Sequence, residues 1–123
     1  VRGAAVDRIR KDPNKLVFAF NKVFTEAESA NLQQHETALE LPRLLLQGID
    51  RGVAQVEVMN SSYLTQRMGT AGAADYLATA TYTLTEYAGV IAVNFQFPEG
   101  DHAAPGARTR GSIVGYRVLF NRR

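Results

Sequence analysis

The sequence predicts an α+β two-layer sandwich: a mostly antiparallel sheet of about five strands with two helices on one face, in the order β-α-β-β-α-β-β. Three observations carry this. Leu44–Ile49 and Val53–Met59 are apolar runs on either side of Asp50-Arg51-Gly52, the pattern of a hairpin. Over Thr70–Tyr87, Ala73, Leu77, Ala80, Thr81, Leu84 and Ala88 fall on one helical face. Ile91, Val93, Phe95 and Phe97 alternate with Ala92, Asn94 and Gln96, the period of a strand with one apolar face.

The elements follow in chain order. Residues 1–14 read as a polar lead-in, with Asp12-Pro13-Asn14 as a turn signal, and residues 15–123 as a single domain. Leu16–Phe24 is a short run rich in β-branched and aromatic residues, which predicts a strand. Thr25-Glu26-Ala27-Glu28 has the spacing of a capping box and predicts a helix to about Glu40, stopped by Pro42. Its apolar stripe is thin, so that helix is expected to be exposed or covered by a partner. In the hairpin's second strand Ala54, Val56 and Val58 alternate with Gln55 and Glu57, giving one buried and one wet face. Thr79, Thr81, Thr83 and Thr85 also alternate, but a strand of that length would be unusual, and Gly89 suits a helix stop. Pro98–Gly111, with two prolines and three glycines, reads as a loop, and Ile113–Phe120 as a last strand.

Composition sets bounds. A chain of 123 residues with 46% apolar content is one globular domain able to bury a core without disulfides or metal. The lack of cysteine removes thiol catalysis and cysteine-ligated zinc or iron–sulfur centres. A net charge of +2 is too small to imply nucleic acid. Its distribution is uneven: residues 1–15 carry +3, residues 16–100 carry −5 and residues 101–123 carry +4. Basic ends around an acidic middle read as solvated termini, or as a domain held near an anionic surface such as a membrane or cell wall. No apolar run approaches the ~18 residues of a spanning helix, and no signal peptide is seen. The opening on Val1 without methionine predicts a processed protein or an excised domain.

Candidate chemistry is sparse. Glu99-Gly100-Asp101-His102 puts two carboxylates and an imidazole on one stretch, a potential cation site, but reads first as a hydrophilic turn. Gly69-Thr70-Ala71-Gly72 opens a helix but lacks the lysine and spacing of a phosphate loop, so Thr70 reads as an N-cap. Ser61 and Ser62 with His102 and Asp101 would suit a hydrolase, yet no nucleophile elbow is present. His35, Asp75 and Glu86 read as solvated. Tyr63, Tyr76, Tyr82, Tyr87 and Tyr116 would bind glycan only if two or three shared an exposed face, and Tyr82 and Tyr116 read as sealing the core edge.

The order of motifs in the second half is the most specific signal. Gly52-Val53-Ala54-Gln55-Val56-Glu57-Val58 is followed by Gly69-Thr70-Ala71-Gly72-Ala73-Ala74. Tyr82-Thr83-Leu84-Thr85-Glu86, then Gly89-Val90, Val93-Asn94-Phe95 and Gly100 complete the series. This series resembles the sporulation and spore-germination GerMN domain over about half the chain. The family carries an alternating-valine strand, a small-residue lead into a helix, a Thr-Leu-Thr-like helix tail and a Gly-Val strand. Its members usually also carry an alanine/leucine-rich helix with a Gly-Pro-like break before the hairpin, where this chain is read as a polar helix and a short Glu40-Leu41-Pro42-Arg43 lead.

The resemblance implies a non-catalytic, extracytoplasmic assembly domain, anchored to a membrane through a segment outside this chain. The implied partner is another protein or a second copy, with no nucleic acid. Catalytic, cofactor-binding and metal residues are expected to be absent. The expected contact surfaces are Glu36 and Glu40 on the polar helix, and Asp101, His102, Arg108 and Arg110 around the 98–111 loop. The alternative is a binding module for cell-wall glycan or peptide.

Overall fold

A computed structural model describes residues 12–32 and 40–113. Its elements are α1 (Pro13–Ser29), β1 (Arg43–Asp50), β2 (Val53–Met59), α2 (Ser61–Gln66), α3 (Gly69–Leu84), β3 (Ala92–Gln96) and β4 (Gly106–Arg108). The fold is α+β, as expected. Among the described residues it has three helices and one four-stranded mixed sheet in the order β1-β2-β3-β4.

The first correction concerns Leu16–Phe24, which is not a strand but the middle of α1. Asp12 is the N-cap: its carboxylate accepts from the Asn14 amide at 2.8 Å, and Pro13 stands at the first helical turn. Proline is favoured there because its missing N–H is one the helix cannot use. The Thr25–Glu28 pattern therefore lies inside a helix rather than at its start. The Thr25 carbonyl accepts from the Ser29 hydroxyl at 2.6 Å in the last turn. α1 ends at Ser29, and the rest of the helix expected to Glu40 lies largely in 33–39, outside the described residues.

The hairpin forms as expected, with a tighter turn. Asp50 pairs with Val53, leaving Arg51 and Gly52 as the two turn residues, both at positive φ (54° and 82°). That matches the twist of antiparallel strands. A bulge at Gln47 separates the Leu46–Val56 and Gly48–Gln55 pairs. Ala54, Val56 and Val58 are buried, as the alternation predicts. On the opposite face Gln55 Oε1 accepts from Asn94 Nδ2 at 2.8 Å and from Gln96 Nε2 at 2.9 Å.

β2 and β3 run parallel, so the chain must cross over between them. α2 and α3 make that crossover. The Gly52 carbonyl accepts from the Ile91 amide at 2.7 Å, which fixes where β3 starts beside β2. α3 buries Ala73, Leu77, Ala80, Thr81 and Leu84, the helical face read from the sequence; Ala88 is exposed beyond its end. Two of the alternating threonines, Thr81 in the helix and Thr85 at its C-cap, bond back to its carbonyls. Thr81 Oγ1 donates to Leu77 O at 2.8 Å, and Thr85 Oγ1 to Thr81 O at 2.7 Å. The N-cap position belongs to Met68, not Thr70.

One core unites these layers. Val17 and Phe20 from α1, Leu77 and Leu84 from α3, and Val56, Val93 and Phe95 from the sheet belong to a single buried cluster. α1 is also fastened to the sheet edge. Asn21 Nδ2 donates to Leu44 O at 2.9 Å, and Leu44 N donates to Asn21 Oδ1 at 2.8 Å. Inside the stretch read as a loop, Gly106–Arg108 forms β4, antiparallel to Val93–Phe95. The expected last strand lies outside the described residues from Val114 onward.

Candidate functional site

The residues singled out for chemistry gather where the chain leaves β3, but they fasten the fold. The Gly100 amide donates to Ala103 O at 3.1 Å, closing a tight turn. The His102 amide donates to Thr65 O at 3.0 Å, and His102 Nδ1 lies 2.8 Å from Thr70 Oγ1. The Gln66 side chain, oriented to satisfy both groups, donates to Asp101 Oδ2 at 3.0 Å and accepts from the Asp101 amide at 3.2 Å. The turn is thus stapled across the α2–α3 junction.

Neither proposed chemistry is assembled there. Among the described residues no three His, Cys, Asp or Glu side chains cluster as a metal site. No hydrogen bond joins Ser61 or Ser62 to His102 or Asp101; Ser62 instead lines a shallow hollow with Glu40, Asn60, Tyr63 and Arg67.

Arg108 and Arg110 are also engaged. Arg108 donates to Ala104 O at 2.9 Å and lies 5.7 Å from the Phe95 ring centre. Its burial lowers its pKa below the ordinary guanidinium value. Arg110 donates to Thr85 Oγ1 at 2.7 Å and to Tyr82 O at 3.0 Å, and lies 4.7 Å from the Tyr82 ring centre. It therefore supplies a cation and donors to the carbonyl end of α3, where both are favourable. Its 3.0 Å ion pair with Glu86 joins side chains 40% and 54% exposed, so that pair adds little. Of the other expected contact residues, Glu40 is exposed ahead of β1, while Glu36 lies outside the described residues, as does His35.

The tyrosines do not form an exposed platform. Tyr63 and Tyr76 are buried, Tyr82 and Tyr87 are half-buried, and Tyr116 lies outside the described residues. The Tyr63 hydroxyl donates to Glu28 Oε2 at 3.0 Å, tying α2 to α1. Burial, and next the bond to Glu28, push its pKa from 10.0 up to about 12. The folded phenol thus holds its proton where the unfolded one has lost it. Its contribution is complete below pH 10 and is lost as pH rises towards 12. Tyr63→Phe should therefore show a shallower alkaline loss of urea stability, at a cost of about 1 kcal/mol at neutral pH. Parallel alkaline slopes in variant and wild type would refute this.

A feature that the sequence did not reveal is an open groove of about 350 Å³ between α1 and α3. Phe20, Val23 and Phe24 line it from α1, facing Met68, Gly72 and Tyr76. Its charged lining residues are Glu28 and Asp75. The groove needs α1 to be a helix, so reading Leu16–Phe24 as a strand hid it. Asp12 followed by Pro13 was the signal that could have exposed it.

The fold and these surfaces define a small α+β domain in which Asp101, His102, Arg108 and Arg110 fasten the chain beyond β3. No helix among the described residues is long and apolar enough to cross a membrane. No family model, curated protein or solved structure matches this chain.

Proposed function

We propose that this chain is a non-catalytic interaction domain of GerMN type, acting outside the cytoplasm at a membrane in envelope, sporulation or germination assemblies. One observation carries the reading: the family-like segments fall in order along one packed unit. Gly52–Val58 holds the turn glycine and most of β2. Gly69–Ala74 opens α3, Tyr82–Glu86 spans its end, and Val93–Phe95 lies in β3. α1 adds support, because an apolar helix now precedes the hairpin, where the family carries its alanine/leucine-rich helix. In this reading the apolar alternation from Val114 to Phe120 supplies a fifth strand.

The commitments of His102 and Asp101 to Thr70 and Gln66 favour assembly over hydrolysis. Burial of Tyr63 and Tyr76 weighs against the glycan alternative. The partner is another protein or a second copy, held by a polar contact that weakens with salt. Arg108 and Arg110 are poor places to test it, because reversing them would unfasten β4 and the end of α3. Glu26 and Glu40 are exposed and suitable.

The test is cross-linking in isolated cell envelopes, with sedimentation of the purified domain across a salt series. A defined partner or oligomer should form, and Glu26→Lys with Glu40→Lys should weaken it. A domain that stays monomeric, captures no protein and is retained on cell-wall glycan would refute the assembly reading. So would a turnover abolished by Ser62→Ala with His102→Ala while the fold stays intact.

A further inference from the structure

The α1–α3 groove combines an apolar lining, a buried polar group without a partner, and charge of one sign. The Phe20 and Phe24 rings both meet Tyr76 edge-on, with centroids 5.2 and 4.8 Å away, so its floor is a fixed aromatic cluster. Val23 in its lining is 64% exposed, and Phe18 on the same helix is 71% exposed. These are large apolar groups left to water on a helix that otherwise buries its apolar face.

Tyr76 is buried, and its hydroxyl has no hydrogen-bond partner. Burying a hydroxyl unpaired costs stability, so the aromatic floor of the groove carries an unmet donor. Burial also raises the phenol's pKa, so the group stays a donor. Both charged lining residues are acidic. Glu28 accepts from Tyr63, and Asp75 is exposed, with no ion pair among the described residues. An anionic apolar groove complements a cationic apolar ligand.

We infer that this groove binds a basic amphipathic peptide segment of a partner protein. An apolar side chain seats against Phe20, Phe24 and Tyr76, and a lysine or arginine stands beside Asp75 and Glu28. This deepens the assembly reading, on which it rests, by naming the partner's chemistry.

The experiment titrates the intact chain with a short labelled leucine/arginine amphipathic peptide, followed by fluorescence anisotropy. A second peptide carries glutamate in place of arginine. Val23→Glu and Asp75→Lys alter exposed positions, and a thermal melt verifies that each variant folds. The arginine peptide should bind saturably, and the glutamate peptide about tenfold more weakly or not at all. Each groove variant should lose about tenfold in affinity, while Asp50→Lys, on the hairpin turn, should stay within about twofold.

Absence of saturable binding, or equal losses in the groove variants and in Asp50→Lys, would overturn the inference. A wild-type mass that rises with concentration and falls with Val23→Glu would assign the groove to a second copy, and would equally overturn it. Partner capture that survives both groove variants would sink this inference and leave the assembly reading standing. Absence of both partner capture and self-association in wild type would sink the assembly reading itself, whatever the peptide does.

Discussion

Leu84→Ala is expected to lower the free energy of unfolding by about 2–5 kcal/mol. Leu84 is 1% exposed and belongs to the same core cluster as Leu77, Val93 and Phe95. It is the last residue of α3, so it holds the helix end against the sheet just before the chain turns into β3. Alanine is the better helix former, so helix propensity cannot account for the loss. The cost would come from lost contacts and from the space left behind. Phe18→Ala provides the contrast: it removes more apolar surface from the outer side of α1, where Phe18 is 71% exposed, and should change stability by no more than about 0.5 kcal/mol. Urea unfolding of both variants checks this. A Leu84→Ala loss below about 0.5 kcal/mol would remove that side chain from the core.

Gly100→Ala should cost about 1–3 kcal/mol, although the site lies in a loop. A Cβ there would lie 2.4 Å from Thr65 Cβ, 2.6 Å from its Oγ1 and 2.7 Å from the Gln66 side-chain amide. The Gln66 amide can swing away. Thr65 Cβ cannot, because it is fixed to the backbone of α2 and the residue is 4% exposed. The 99–103 turn must therefore move and strain its bonds from His102 to Thr65 and Thr70 and from Asp101 to Gln66. Loss of stability should come with a changed His102 ring environment, read by NMR. Gly111→Ala is the control, since its nearest contact would be an ordinary 3.7 Å. An unchanged melt and an unchanged His102 signal in Gly100→Ala would mean that the turn does not approach α2 so closely.

The sequence was most legible where burial is one-sided. Ala54, Val56 and Val58 alternate because β2 has a covered and a wet face, and the α3 stripe is clear because only one side of that helix is buried. α1 was misread for the opposite reason. Phe18 on its outer side and Val23 at the rim of the groove add exposed apolar residues, so Leu16–Phe24 becomes a near-continuous run and the helical period disappears. β4 was missed because three residues carry no period, and its place is set by pairing with Val93–Phe95. α2 is also too short for a periodic signal, and it begins from Asn60 in the left-handed region (φ 59°). Among the candidate site residues, sequence could name Asp101, His102, Arg108 and Arg110 as polar and close together. It could not show that their partners are carbonyls, an amide, two hydroxyls and a carboxylate of this same chain.

The Asn21 amide has a further consequence for how the protein behaves in a crowded solution. Among the described residues β1 stands at the margin of the sheet, and it carries three consecutive leucines, Leu44–Leu46. An open margin of that kind is a template on which foreign strands add and aggregates grow. At Leu44 the amide offers one donor and one acceptor, as a neighbouring peptide group would, and both are taken. At that position an approaching chain meets backbone groups already paired, and must first lift α1 away. Solubility is thereby coupled to the docking of α1. A proteolytic cut between α1 and β1, followed by loss of the helix, would turn a well-behaved domain into a seed for its own precipitation.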